Sequence, residues 1–144
     1  MRIYLAARYS RNSEMRGVRD VLTALGHEVT SRWIDCHAGK YLTSFTPEHL
    51  NDDPEYCARL GLHDLEDVDA ADAVLSFTDT TGGGKGGRHV EFGYALAHPG
   101  GKRVILVGPR ENIFHTLPQV EHYPDWPRLL VALTAERDLV QVPR

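Results

Sequence analysis

Apolar positions change their spacing several times along the chain, and each change marks an element. Residues 1–7 form a short apolar run ending in the small residues Ala6-Ala7, the pattern of a buried strand. Residues 10–25 then switch to helical spacing, with Met15, Val18, Leu22 and Leu25 on one face. Ser10 or Asn12 can cap that helix, and Gly26 stands where a helix-ending glycine is favoured. Glu28 to Ile34 is β-branched and aromatic enough to predict a second strand. Residues 35–52 lose periodicity and read as a long loop. Asp53-Pro54 predicts an N-cap and first helical position, with a helix to about Asp69. Ala73–Phe77 is a third strand, 78–87 a loop holding five glycines, and 88–98 a short helix. Arg103–Val107 is a fourth strand, closed by a Gly108-Pro109 turn. A strand at Val120–Tyr123 and a helix over 125–136 follow.

Strands alternating with helices imply right-handed βαβ units and a parallel sheet covered on both faces. The expectation is a single domain over 1–144, an α/β flavodoxin-like (Rossmann-like) three-layer sandwich. Its five strands take the order 2-1-3-4-5, with a ligand crevice where strands 1 and 3 diverge.

Composition narrows the function without naming it. The 144 residues carry 16 Lys+Arg against 20 Asp+Glu, a net charge of -4 that argues against a dedicated nucleic-acid binder. Apolar runs such as 104–107 are too short to span a bilayer, and the first residues carry no signal-like apolar stretch. Cys36 and Cys57 form no CxxC pair, and the histidines no HExxH pair. A cytoplasmic protein without a structural metal is therefore expected, with no nucleic acid or membrane as partner.

Three stretches should meet at the crevice: residues 4–11 leaving strand 1, the glycine-rich 82–91, and Asp64 on the second helix. The glycine loop is not a Walker A loop, because Gly86 follows Lys85 where Ser or Thr would bind magnesium. Taken alone it reads equally as a flexible connection. Glu91 is expected near the first turn of the helix this loop opens, where the helix dipole would keep it ionised at neutral pH. An ionised, positioned carboxylate is a competent nucleophile toward an anomeric carbon; otherwise it is a glutamate that simply favours an N-terminal turn. Asp64 lies on the stripe of Cys57, Leu60 and Val68, a costly place for a carboxylate unless it is paired or used. Glu66 and Asp67 are expected toward solvent, and Asp72 at a turn. Arg8, Ser10 and Arg11 flank a helix start that favours an anion, or are solvated surface residues. Tyr9, Trp33 and Trp126 can stack on a base but read first as core, and His63, His89 and His115 individually read as structural.

The pattern resembles the nucleoside 2-deoxyribosyltransferase superfamily. The matching stretches are Arg2-Ile3-Tyr4-Leu5-Ala6, Asp64-Leu65 with Ala71-Asp72-Ala73-Val74-Leu75, then Gly87-Arg88-His89-Val90-Glu91-Phe92-Gly93-Tyr94-Ala95-Leu96, and Val104 to Pro109 with Asn112 beyond. They fall in order and cover most of residues 1–123. The resemblance implies an enzyme acting on the N-glycosidic bond of nucleosides or their 5′-monophosphates, with Glu91 as the nucleophile at C1′. Asp64 matches the aspartate that helps protonate the departing base, and Tyr4 the tyrosine that orients the nucleophile. Ala6, Arg8, Ser10, Arg11, Lys85, Gly87 and Arg88 fall at substrate-binding positions. Asn112, or His115 in its place, matches a residue supplied by a partner subunit, and a homodimer or larger assembly with a shared site is implied. The transferases carry a carboxylate six residues before the nucleophile, for the sugar 5′-hydroxyl; here that position is Lys85, which suits a 5′-phosphate. Transfer of a deoxyribosyl group to another base is the first expectation. Hydrolysis of nucleoside 5′-monophosphates by a related N-glycoside hydrolase is the alternative, and a non-catalytic nucleotide-binding or sensing module is a second alternative. A flavodoxin-like FMN carrier fits less well, since the first helix lacks a Ser/Thr-rich phosphate loop.

Overall fold

The computed structural model describes residues 1–35, 47–79 and 86–141. Five parallel strands, β1 (Arg2–Ala6), β2 (Glu28–Val29), β3 (Ala73–Phe77), β4 (Arg103–Val107) and β5 (Val120–Tyr123), form one sheet in the order β2-β1-β3-β4-β5. Among the described residues five α-helices connect and flank them: α1 (Asn12–Ala24), α2 (Pro47–Asp52), α3 (Pro54–Ala70), α4 (Gly87–Leu96) and α5 (Trp126–Gln141). Every residue of β3 is buried, as are Ile3 to Ala6 of β1. That is the burial expected of a parallel strand covered on both faces.

Side chains alternate across the sheet, so one register assigns the layers. Tyr4 pairs with Val74 and its hydroxyl reaches α4 at Glu91, which puts α4 on the Tyr4 face. Leu5 pairs with Leu75, and Phe77 on that opposite face packs on Trp126 at the start of α5, 6.1 Å between ring centroids. Arg11, just before α1, lies over the same Phe77 ring. The helices thus lie on both faces, giving the expected three-layer α/β sandwich.

Local chemistry explains most boundaries. Gly26, at φ +85°, ends α1 with its N–H on the Thr23 carbonyl, while the His27 N–H reaches Leu22. Neither Ser10 nor Asn12 caps α1, however; a 3₁₀ turn over Tyr9–Arg11 leads into it, and Asn12 is already helical. Asp53 caps α3 as expected, accepting the Tyr56 N–H, with Pro54 at the first position. α5 runs to Gln141 rather than 136, since no proline or glycine lies between 136 and Pro143.

The expected second strand is much shorter, two residues instead of seven. Beyond Val29 the neighbouring Leu5 finds its partners in side chains. Ser31 Oγ accepts the Leu5 N–H at 2.7 Å, and Trp33 Nε1 donates to the Leu5 carbonyl at 2.8 Å. The ladder is replaced, and the chain turns into a 3₁₀ helix at Arg32–Asp35. The expected loop over 35–52 contains α2, opened by Pro47. Cys36 lies outside the described residues. Among those described, no helix is long and apolar enough to cross a membrane, and no group of three or more His, Cys, Asp or Glu can hold a metal ion.

Candidate active site

Three side chains from three elements meet beside β1. Tyr4 is fully buried in the strand, and its hydroxyl donates to Glu91 Oε1 at 2.8 Å. Asp64, on α3, interacts electrostatically with both. Because the bond to Tyr4 occupies Oε1, the other oxygen of Glu91 is left for chemistry. A phenol anchored in a central strand fixes that carboxylate better than any loop residue can.

The electrostatics differ from the sequence expectation. Glu91 stands at the fifth position of α4, past its first turn, so the N-terminal dipole does not hold it ionised. Burial instead pushes its proton affinity up to about 7, with the Tyr4 hydrogen bond pulling down and Asp64 pushing up. Asp64 is raised to about 6, chiefly by burial and then by Asp67, with Arg32 opposing. Burial, followed by Glu91 and Asp64, raises the Tyr4 hydroxyl well above the ordinary tyrosine value. Tyr4 therefore stays a donor. Two carboxyls that hold protons near neutrality are suited to acid–base and nucleophilic work.

Other expected residues lie around this centre. Ala6 ends β1 fully buried opposite Ser76, while Ser10 is exposed. Arg8 and Arg11 both turn to Asp79, just past β3, at 3.2 and 4.0 Å. Arg11 also pairs with Glu14 and donates to the Thr78 carbonyl. The two guanidiniums thus converge at the crevice between β1 and β3, each beside a carboxylate. Gly87 opens α4, preceded by Gly86 at φ +86°. Lys85 lies outside the described residues.

A second group gathers between the start of α4 and the turn after β4. Arg88 is buried and its guanidinium rests on Glu111, with His89 3.5 Å from the same carboxylate. Asn112 caps the 3₁₀ turn Ile113–Thr116 through the Phe114 N–H. His115 is buried; its Nδ1 accepts the Glu111 N–H, and its ring packs on Phe92 and His89. Burial, then His89, lowers its proton affinity. Of this group, His89 and Asn112 border an apolar hollow of about 560 Å³ lined also by Phe92, Leu96, Phe114 and Leu117. The structure gathers Arg88 and His115 at Glu111, with Asn112 beside them at the rim of the hollow.

Asp67, expected toward solvent, is instead buried at 6% exposure and bound to Arg32. Its position three residues after Asp64 and beside Val68 put it near the apolar stripe; what the sequence hides is the cation that makes burial affordable. Asp79 and Glu111 are the other charged groups that sequence reading missed. Trp33 is core, as expected, and Asp72 holds the turn into β3 by accepting the Arg2 N–H.

No protein-family model matches the chain, and no curated protein is similar to it in sequence. Solved structures do match. One is a 2-deoxyribosyltransferase from the psychrotolerant bacterium Bacillus psychrosaccharolyticus, at TM-score 0.63 and 23% identity over 92% of this chain and 96% of that one. Another is the Clostridium botulinum CMP N-glycosidase BcmB, at TM-score 0.54 and 22% identity over 94% and 99%. Both likenesses span nearly the whole chain and show a shared fold.

Proposed function

We propose that this chain is an enzyme that cleaves the N-glycosidic bond of a 2′-deoxynucleoside or nucleotide and passes the deoxyribosyl group to another base. The observation that carries the reading is the 2.8 Å bond from the buried Tyr4 hydroxyl to Glu91, within the field of Asp64. The carboxylate of Glu91 attacks C1′ as the C1′–N bond breaks. The departing base takes the proton of Asp64, leaving a glycosyl ester on Glu91. An incoming base then attacks C1′ and gives its proton to Asp64, and Glu91 is released as carboxylate. Two carboxyls and an orienting phenol complete the cycle, so no cofactor enters it.

The active form needs Glu91 ionised and Asp64 protonated. With affinities of about 7 and about 6, that form is a minority at every pH and turnover follows a bell between those limits.

A second reading, hydrolysis of a nucleoside 5′-monophosphate, draws support from Arg8 and Arg11 converging at the crevice. Charge-assisted bonds to a phosphate contribute roughly 1.5–3 kcal/mol each, offset here by displacing Asp79. In this reading water replaces the incoming base. The likeness in fold to a transferase and to a CMP N-glycosidase suits both readings. The proposal includes assembly as a homodimer or larger, with Asn112 or His115 serving a neighbour's site.

The deciding experiment incubates the protein with 2′-deoxyadenosine, 2′-deoxycytidine, their 5′-monophosphates and CMP, with and without free adenine, and resolves the products by chromatography. Exchange of base supports transfer, and free sugar phosphate supports hydrolysis. No cleavage of any substrate, with the protein folded, overturns the enzymatic reading in favour of a binding module.

A further inference from the structure

Residues 30–33 hold both halves of this site at once. Toward β1, Ser31 and Trp33 bind the N–H and carbonyl of Leu5, the neighbour of Tyr4. Toward α3, Thr30 Oγ1 donates to the Asp67 carbonyl at 2.9 Å. The Arg32 backbone N–H and Nε donate to the two carboxylate oxygens of Asp67 at 2.9 and 2.6 Å. Arg32 Nη2 donates further to the His63 carbonyl and to Glu66. One short segment thus ties the strand of Tyr4 to the helical turn of Asp64.

Asp67 is the pivot of that clamp. It lies three residues after Asp64, on the same side of α3, and takes no part in the two displacement steps. Only the Asp67 half of the pair is buried while Arg32 stays half exposed, so filling the space on α3 does not by itself call for a carboxylate here.

We propose that Asp67, held by Arg32, is a positioning residue for Asp64: it fixes the turn of α3 that presents Asp64 to Tyr4 and Glu91, and sets a negative charge beside a carboxyl that must keep its proton. This rests on the reading of Asp64 as the acid. Four groups then govern Asp64. Asp67 on its own helix favours the proton, and Arg32 from the adjoining 3₁₀ segment opposes it. Glu91 from α4 and Tyr4 from β1 face it across the site. Burial is the largest contribution and Asp67 the next, so the geometry and the charge act in the same direction.

The test uses Asp67→Asn, which keeps the shape and removes the charge, and Arg32→Gln, which removes the opposing cation and keeps the backbone bond. The Asp64 carboxyl is titrated by carbon NMR in each. Its midpoint is expected to fall by about one unit in Asp67→Asn, the effect of one close charge, and to rise in Arg32→Gln. In Asp67→Asn the acid limb of the rate profile should move down with it. kcat for 2′-deoxyadenosine should fall about tenfold, against little change for 7-methyl-2′-deoxyguanosine, whose base leaves without a proton. An unmoved Asp64 midpoint in both variants overturns the proposal, as does an equal loss on the two substrates. Should Asp67→Asn not fold, the double variant Asp67→Asn with Arg32→Gln, which leaves no unpaired charge, carries the test, with a smaller fall expected because Asp67 outweighs Arg32. Failure of the underlying reading looks different: Asp64→Asn and Glu91→Gln would then retain activity whatever the titration shows.

Discussion

At the residue scale, the conflict inside Glu91 makes two measurable demands. The reaction wants its charge, and its surroundings resist that charge. Glu91→Gln should therefore lose turnover by on the order of 10⁴ or more, since the amide cannot attack C1′. The same variant should gain stability, with a definite pH dependence. Folding raises the Glu91 proton affinity from an ordinary 4.5 to about 7, so its favourable contribution is complete below the lower value and is lost as pH rises through the upper. Thermal unfolding should show wild type and variant alike near pH 4 and the variant ahead at pH 8, by of order 1–3 kcal/mol. A variant no more stable at pH 8 would mean that Glu91 is well solvated. Asp64→Asn should slow cleavage by roughly 10²–10⁴ for bases that need a proton and much less for those that do not. Uniform slowing across leaving groups would reduce Asp64 to a positioning role. Both carboxyls were singled out in the sequence, Asp64 by the apolar stripe and Glu91 by the helix after the glycine loop and by the resemblance, and the structure sets them in one another's field. The direction of the Glu91 shift was not legible, because desolvation depends on what the fold packs around the group.

At the element scale, the turn after β4 is the tightest of the described glycine positions. Gly108 adopts φ +115°, and a Cβ there would lie 2.6 Å from both the carbonyl oxygen and the Oγ1 of Thr78. Thr78 is itself held by the Val107 and Pro109 carbonyls, so it has no room to yield. Gly108→Ala should cost about 2–4 kcal/mol, seen as an earlier denaturant midpoint with an unchanged slope. An unaffected midpoint would show that the turn relaxes freely. β1, β3, β4 and β5 and the start of α3 were legible because their signals are local: apolar runs bounded by turns, and Asp-Pro at a helix start. The length of β2 was not legible. Residues 28–34 have strand composition throughout, yet the Ser31 and Trp33 side chains displace the backbone ladder, a tertiary event that no propensity records. Asp67 escaped for the same reason, its partner Arg32 lying 35 residues away.

At the scale of the whole molecule, the apolar hollow beside α4 is rimmed by Phe114, 58% exposed, with Ile113 at 76% next to it. The proposed assembly would cover such a face with a second copy. Sedimentation velocity should show a dimer or larger species for wild type and a smaller one for Phe114→Asp. A wild-type monomer at micromolar concentration would reject the shared site and return Asn112 to its local capping role. The sheet order has another consequence, one that concerns how the protein is born. β1 is an interior strand, yet it leaves the ribosome long before β3, which begins only at Ala73 and must arrive to cover its second edge. Until then the apolar run Ile3 to Ala6 has at most the two-residue β2 as a neighbour, and its other edge is open to any passing strand. The nascent chain is thus exposed to misassembly for the whole time that α3 is being made, and chaperone capture should concentrate in that window of synthesis.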